Sequence, residues 1–319
     1  MTILPQTPST ADLHIALVTT FEALPLDEDL PPLVAALESL GVRASTPCWD
    51  DDAVDWSQFD VALLRSTWNY AEVIDRFRAW ARETAQQTLL LNPLPVVEWN
   101  TDKHYLVHLD HSGVPVVPSR FVEPGEGAEQ SLREFLAGGP KSLSAGRLIE
   151  FDQFVIKPSI GAGSRDAARF RREDVDRALA HLTRLVTTER RSALLQPYLK
   201  SVEDAGETAV VYFGGQPSHA FRKGPLLRLD AGLVEGLFAT EDIRGREAAA
   251  DELAVAAAAY AAIPFDAPLY ARIDMIRDDR GQPVVLELEM TEPSVYMLHA
   301  PGSADRFAAA LLARLGVKP

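Results

Sequence analysis

The sequence predicts an α/β protein in which a parallel sheet precedes a larger region of mixed α+β structure. In the N-terminal third, short apolar runs alternate with segments of helical period. In the C-terminal third, strand-like runs are paired across turns that contain glycine. The chain has 319 residues, of which 47% are hydrophobic, so it is long enough to bury a substantial core.

The N-terminal segment is predicted to form a small parallel sheet with helices on its faces, because strands and helices alternate. The predicted strands are His14–Thr19, Val61–Leu64 and Leu89–Leu91. The predicted helices are Leu30–Leu40, which stops at a glycine, and an amphipathic helix that carries Val73, Ile74, Phe77 and Trp80.

The middle segment is predicted to open with a helix that Thr101 or Asp102 caps and that runs to about His111. Residues 123–147 are rich in Gly, Pro, Ser and Glu, which predicts a loop with one short helix. The other predicted elements are strands at Val114–Val117, Phe154–Lys157 and Ala193–Gln196, a glycine-bearing loop at Pro158–Arg165, and a helix at Glu173–Thr187.

The last segment is predicted to contain two hairpins and two helices. Gly214-Gly215 and Asp278–Gly281 are the turn signals. The flanking strands are Glu207–Phe213, Ser218–Arg222, Leu269–Met275 and Val284–Met290, and the helices are Ala248–Ala262 and Ala304–Leu315.

Composition excludes several classes of function. Lys plus Arg number 31 and Asp plus Glu number 46, so the net charge is −15, and bulk charge will not hold nucleic acid or an anionic membrane. The single cysteine, Cys48, rules out an intrachain disulfide. The sequence shows no signal peptide and no apolar run long enough to span a bilayer, so a cytoplasmic protein is expected.

The second hairpin carries an acidic pattern that suggests a metal site. Arg272 and Asp274 are two residues apart on one strand, as are Glu287 and Glu289 on the other, so each pair shares a face. If the strands pair, three carboxylates and one guanidinium converge, and hard divalent cations such as Mg²⁺ neutralise such groups. A solvated sheet face would show the same spacing, and the spacing leaves that alternative open.

Two lysines suggest a place for polyphosphate. Lys157 ends a predicted strand and precedes a loop of small residues, whose backbone can approach a phosphate closely. Lys103 begins a predicted helix, where a bound anion would relieve the repulsion from the helix dipole. A tight turn and a solvated lysine remain the alternatives. The small residues of the loop are Ser159, Gly161, Gly163 and Ser164.

A strand that runs into Gln196-Pro197-Tyr198-Leu199 makes a hinge whose backbone groups suit a purine edge, and Glu203 or Glu207 suits ribose hydroxyls. A plain linker between subdomains is the alternative. A zinc site is conceivable because the spacing of three histidines puts them on one helix face, but solvated or packed histidines are favoured. These histidines are His104, His108 and His111.

A lysine before a helix, a lysine with a glycine loop, a Gln-Pro-Tyr hinge and an acidic hairpin follow one another along the chain. This order resembles the ATP-grasp superfamily of ADP-forming ligases. Several segments resemble the branch that contains the D-cycloserine-forming cyclo-ligase and its glutathione-synthetase-like relatives. They are Leu64–Tyr70, Trp99–Lys103, Gly206-Glu207, Ser218–Lys223 and Glu287–Ser294. The resemblance implies an N-terminal pre-ATP-grasp domain over 1–98, a linker helix with a small lid subdomain over 99–196, and a C-terminal ATP-grasp subdomain with the metal site over 197–319.

The resemblance also implies roles for individual residues with ATP and two Mg²⁺ ions as cofactors. The phosphates would be bound by Lys103, Lys157 and the loop Ser159–Arg165, adenine by Gln196–Leu199, and ribose by Glu203 or Glu207. The metal ligands would be Asp274, Glu287 and Glu289, and the catalytic cations Lys223 and Arg272. Many superfamily members have Asn where this chain has Glu289, so tighter metal binding or a nearby cationic substrate group is expected.

The activity implied is carboxylate–amine ligation through an acyl-phosphate, on an amino acid or small peptide-like substrate. An intramolecular ring closure is one specific form of this activity. Two alternatives remain: a non-catalytic nucleotide-binding protein of this fold, and an ATP-dependent phosphotransferase. A homodimer is compatible with the sequence. The residues expected to contact substrate are Arg65, Trp68, Tyr70 and Ser294.

Overall fold

A computed structural model describes residues 9–139, 150–229, 237 and 241–317. Within these residues the strands form three sheets, which follow one another along the chain. The last part of the loop predicted over 123–147 lies outside the described residues.

The first sheet is parallel, as the alternating sequence predicts, with the strand order β2-β1-β3-β4. Its elements are β1 (His14–Val18), α1 (Leu30–Ser39), β2 (Arg43–Ser45), β3 (Val61–Leu64), α2 (Ile74–Gln87) and β4 (Leu89–Leu91). The sequence did not predict β2, because this edge strand has only three residues and lacks the apolar run of a buried strand.

Two short helices, α3 (Leu94–Asn100) and α4 (Tyr105–His111), connect the first sheet to the second. The predicted helix therefore begins later than expected, and α3 was not predicted. Asp102 accepts a hydrogen bond from the backbone N–H of His104, which directly precedes α4. Lys103 consequently lies in the turn between the two helices.

The second sheet is antiparallel, with the strand order β5-β8-β6-β7. Its elements are β5 (Arg120–Val122), α5 (Ala128–Gly138), β6 (Gln153–Pro158), β7 (Ala168–Arg171), α6 (Val175–Thr183) and β8 (Ala193–Pro197), with a π-helical turn at Arg184–Thr188. The strand predicted at Val114–Val117 is wrong: only Val116 makes a bridge there, to Val285, and the strand β5 begins later.

The third sheet is also antiparallel, with the order β11-β10-β9-β12-β13, so both predicted hairpins are confirmed. The elements of this part of the chain are α7 (Ser201–Ala205), β9 (Glu207–Phe213), β10 (Gln216–Lys223), β11 (Ile243–Arg246), α8 (Ala250–Ala261), β12 (Tyr270–Arg277), β13 (Pro283–Glu289) and α9 (Ser303–Arg314). No helix in the described ranges is long and apolar enough to cross a membrane.

Two buried asparagines attach the first part of the chain to β12 and β13. The Asn92 amide donates to the carbonyls of Tyr270 and Met290, both at 2.9 Å. Asn100 accepts from the Met290 N–H at 2.6 Å and donates to the Leu288 carbonyl at 2.7 Å. These bonds satisfy backbone groups at the end of the acidic hairpin, so they hold that end against α3.

Candidate active site

A cavity of about 690 Å³ lies where the three sheets approach one another. Its lining includes charged side chains of the third sheet and the glycine loop after β6. It also includes Trp68 and Tyr70, which follow β3. A concave site that gathers polar groups from several elements is the usual form of a small-molecule site.

The acidic hairpin pairs as the sequence predicts. Asp274 lies opposite Glu287, and Arg272 lies opposite Glu289. All four side chains border the cavity. The carboxylates therefore face a binding space and not bulk solvent, which overturns the alternative of a solvated sheet face.

Both predicted phosphate lysines meet the acidic hairpin. The Lys157 ammonium lies 2.6 Å from a carboxylate oxygen of Glu287, and the Lys103 ammonium lies 4.0 Å from the same oxygen. Lys103 also donates to the carbonyl of Gly161 at 2.9 Å. Burial alone would raise the pKa of Glu287, but the two lysines outweigh it and hold that pKa well below its usual range.

Arg272 and Lys223 neutralise the remaining acids. The Arg272 guanidinium makes an ion pair with Asp274 at 2.8 Å and another with Glu289, while Lys223 lies 3.1 Å from Asp274. Burial tends to raise the pKa of Asp274, yet these two cations keep it below its usual value. The sequence predicted a cationic group near Glu289. In this structure Arg272 of the protein itself supplies that positive charge.

Glu289 remains the least compensated of these acids. Burial, together with the charges of Asp274 and Glu287, raises its pKa to about 7 in spite of Arg272. A carboxyl group with such a pKa gains stabilisation from any added positive charge, whether from a metal ion or a substrate.

The donor chemistry of this wall fits Mg²⁺, which prefers carboxylate oxygens. Within the described ranges, however, no three Asp, Glu, His or Cys side chains already surround one metal position. The reason is that Lys and Arg side chains occupy the carboxylate oxygens. Metal ions with bound phosphates would therefore replace ion pairs that the protein makes within itself.

The glycine loop borders the cavity through Gly161, Gly163 and Ser164. Gly163 has a φ of 62°, in the left-handed region that favours glycine. Ser159 lies outside the cavity lining, where its side chain is buried and hydrogen-bonded to Asp102, and its predicted role in binding phosphate stays a prediction.

The end of the cavity predicted for adenine is lined by Gln196, Tyr198 and Leu199. Glu203 lies off the cavity lining, where the Tyr198 hydroxyl donates to it at 2.8 Å and Arg169 pairs with it at 2.7 Å. Glu207 does line the cavity, 3.5 Å from Lys223. The geometry therefore favours Glu207 where the sequence left both acids open.

The predicted substrate residues divide into two groups. Trp68, Tyr70 and Ser294 border the cavity. Arg65 does not: it is completely buried, stacks 5.7 Å from the Tyr270 ring, and lies 3.6 Å from Asp29. Its side chain is not part of the cavity lining, so the pairing of Arg65 with a substrate carboxylate stays a prediction that this arrangement does not favour.

Glu292 is a cavity residue to which the sequence assigned no role. Tyr70 donates a hydrogen bond to its carboxyl group, and the Trp68 indole donates to its backbone carbonyl at 3.1 Å. Burial and the nearby charge of Glu289 raise the pKa of Glu292 to about 8. The useful signal in the sequence was an acid three residues beyond the acidic hairpin, close to Pro293.

Each of the three histidines of the predicted helix face has a hydrogen-bond partner within the protein. His104 bonds Asp102 and Glu123, His108 bonds the Ala262 carbonyl, and His111 bonds the Val107 carbonyl. His104 and His108 are half-buried and His111 is exposed, in keeping with the solvated or packed histidines that the sequence favoured.

The raised pKa of Glu292 predicts how unfolding free energy depends on pH. Between the unfolded value near 4.5 and the folded value of about 8, the folded state binds the extra proton. Stability therefore falls as pH rises through this window, by up to about 1.4 kcal/mol per pH unit for a single group. In Glu292→Gln this contribution is expected to vanish.

Urea unfolding of the ligand-free protein between pH 5 and 8 measures the effect. The slope of Glu292→Gln should be flatter than that of wild type, while Glu129→Gln, on the exposed face of α5, should follow wild type. Parallel profiles for all three proteins would contradict the assignment.

Comparison with solved structures identifies the class of this fold. D-alanine–D-alanine ligase from Bacillus anthracis superposes with a TM-score of 0.64 at 14% identity, over 95% of this chain and 96% of that one. The ATP-grasp ligase PsnB, solved with its minimal precursor, gives 0.61 at 16% identity, over 94% and 99%. At such low identity the likeness concerns the fold alone, and that fold is the ATP-grasp fold.

Closer relatives define the family. Cycloserine biosynthesis protein DcsG from Streptomyces lavendulae is 40% identical over 307 residues, which is 94% of this chain and 98% of the relative. The crystal structure of D-cycloserine synthetase DcsG superposes with a TM-score of 0.85 at 38% identity, over 95% and 99%. The family described as the N-terminal domain of D-cycloserine synthetase DcsG matches residues 15–92. The chain belongs to the DcsG family of ATP-grasp ligases, which form carbon–nitrogen bonds.

Proposed function

We propose that this ligase transfers the γ-phosphoryl group of ATP to a substrate carboxylate and then joins the acyl group to an amine. The observation that carries the proposal is the meeting of Lys103 and Lys157 with the carboxylate of Glu287 inside one cavity. This arrangement pairs cations for phosphate with acids for metal ions, which phosphoryl transfer requires.

The residues of the cavity divide the work of binding ATP. Lys103 and Lys157 bind the phosphates, the segment from Gln196 to Leu199 receives adenine, and Glu207 accepts from ribose. The backbone of the glycine loop covers the triphosphate. Such positioning contributes much of the rate, because phosphoryl transfer needs little covalent chemistry from the protein.

Asp274, Glu287 and Glu289 would hold Mg²⁺, which spreads the charge of the transferred phosphoryl group when bound. Arg272 and Lys223 lie at the same wall, where each stabilises negative charge on the carboxylate being activated. The bond that forms in the first step joins a carboxylate oxygen to phosphorus, and ADP leaves. In the second step the amine attacks the acyl carbon, phosphate leaves, and the nitrogen loses a proton.

The glycine loop protects the acyl-phosphate from water. Arg165 of the loop pairs with Glu72, and Ile160 and Ala162 pack against the aromatic cluster under the first sheet. A loop that reaches from the second sheet to the first closes the cavity over the reacting atoms, where hydrolysis would otherwise compete.

The substrate is proposed to be a small amino-acid derivative that carries both reacting groups. The relative at 40% identity is named for cycloserine biosynthesis, and cycloserine contains a carbonyl bonded to a ring nitrogen. Closing that ring joins a carboxyl carbon and a nitrogen of the same molecule. We therefore propose an intramolecular ligation that releases ADP and phosphate.

An ADP-release screen with Mg-ATP and ureido or hydroxamate derivatives of amino acids tests the proposal. A compound that is a substrate should yield ADP, phosphate and a cyclic product. The mass of that product should be lower than the mass of the open-chain compound by that of the atoms that leave when the ring closes. A stable phosphorylated product would instead indicate a phosphotransferase. Absence of Mg-dependent ATP binding would contradict the ligase function altogether.

A further inference from the structure

The segment 292–297, which follows the acidic hairpin, forms one wall of the cavity in an alternating pattern. The side chains of Glu292, Ser294 and Tyr296 border the cavity, whereas Val295 and Met297 belong to the apolar core shared with β1 and α1. Tyr296 has a left-handed backbone conformation and Met297 begins a 3-10 helix, so this alternation depends on where the backbone is held and not on strand pairing. The chemistry presented to a substrate therefore depends on the register of this segment.

Side chains hold the carbonyls of this segment. The Trp68 indole donates to the carbonyl of Glu292 at 3.1 Å, and Arg65 donates to the carbonyl of Pro293 at 3.1 Å. Arg272 donates to the next carbonyl, that of Ser294, at 2.8 Å. The segment lies outside the named strands, so these side chains supply the hydrogen bonds to its backbone that a neighbouring strand would otherwise supply.

Asp29, at the start of α1, holds the N–H groups that follow. One of its carboxylate oxygens accepts from the N–H of Val295 at 2.7 Å and from that of Tyr296 at 3.1 Å. The other accepts from the N–H of Met297 at 2.6 Å. Arg65 lies 3.6 Å from the first oxygen. The two residues of this buried ion pair therefore both bind the segment, Arg65 through a carbonyl and Asp29 through three N–H groups.

We propose that Asp29 and Arg65 are positioning residues that set the register of segment 292–297 and thereby the affinity for the carboxylate–amine substrate. This inference rests on the proposed function. Hydrogen bonds to charged groups are strong, and a carboxylate that accepts three N–H groups fixes one backbone position. The residues assigned to ATP lie on other elements: the turn between α3 and α4, β6 with the glycine loop after it, the end of β8 with the residues that follow, and the start of β9. ATP affinity should therefore be spared.

The test compares Asp29→Asn with Leu37→Ala. Asparagine keeps the shape of Asp29 but has only one oxygen that can accept. Its NH₂ group, which is a donor, would face a backbone N–H of the segment, so no hydrogen bond would form there. Leu37 is buried on the same helix and does not bond to the segment, so Leu37→Ala is the structural control. Arg65→Lys is the second variant, because lysine keeps the charge but loses the planar guanidinium.

Two readouts are measured for each protein. The first is amide hydrogen exchange over residues 294–297 in the ligand-free state, which needs no substrate. The second is the KM for the substrate found by ADP release, set against kcat and against the Kd of a non-hydrolysable ATP analogue. Asp29→Asn should speed exchange selectively in the segment and raise KM by about tenfold or more, because it weakens charged hydrogen bonds.

The inference is overturned if Asp29→Asn speeds exchange no more selectively than Leu37→Ala. It is also overturned if KM is unchanged, or if the Kd of the ATP analogue rises as much as KM. If wild type turned over no substrate, the proposed function would fail, while the exchange comparison would still decide whether Asp29 holds the segment. If Arg65 and Asp29 hold the segment together, Arg65→Lys should also speed exchange selectively at Val295, Tyr296 and Met297, whose N–H groups donate to Asp29.

Discussion

A Glu287→Gln variant is expected to lose at least about a hundredfold in turnover, more than the typical cost of removing an outer-shell partner of a metal ligand. The neutral amide is a weaker metal ligand, and it no longer neutralises Lys103 and Lys157. The measurement is kcat for ADP release at saturating ATP, repeated over a range of Mg²⁺ concentrations. The variant should need more Mg²⁺ than wild type.

The fold should survive this change, because backbone pairing and apolar contacts hold β12 and β13 together. Far-UV circular dichroism checks this point. Glu129→Gln, which removes an exposed carboxylate from α5, is the matched control and should behave as wild type. Turnover of Glu287→Gln close to that of wild type, at all Mg²⁺ concentrations, would show that the metal assignment is wrong.

A Lys157→Ala variant is expected to bind Mg-ATP about ten to a hundredfold more weakly, the effect of losing a hydrogen bond between charged groups. Lys157 is largely buried beside the glycine loop, so water compensates poorly for the missing charge. Isothermal titration calorimetry with a non-hydrolysable analogue measures the change.

Lys200→Ala provides the control for charge alone. Lys200 is exposed and pairs with Asp152 at the surface, where an ion pair contributes little. Its affinity for the analogue should stay within about twofold of wild type. Equal losses in the two variants would mean that Lys157 acts only through the overall charge of the protein.

Much of the acidic wall could be predicted because its signals are local. Spacing by two puts Arg272 with Asp274, and Glu287 with Glu289, on shared faces, and a hairpin turn of a few residues brings the strands together. The structure confirms that pairing. Register across a short hairpin is set by the turn and the apolar pattern, both of which are written in adjacent residues.

Other features escaped prediction because nothing local marks them. The helix α3 is short and begins after a proline, and what holds it is Asn100, which bonds to β13 about 190 positions along the chain. The strands β2, β7 and β11 are short and partly exposed, so neither period nor composition distinguishes them from loops.

The sequence by itself determined which chemical groups this ligase carries and their order: two lysines, a loop of small residues, a hinge, and an acidic hairpin. Tertiary structure alone decided which of them face the cavity. It placed Ser159, Glu203 and Arg65 away from it and brought Glu292 to it. The physical reason is that these placements depend on tertiary contacts, such as the hydrogen bond from Arg65 to the carbonyl of Pro293, and no local pattern encodes such contacts.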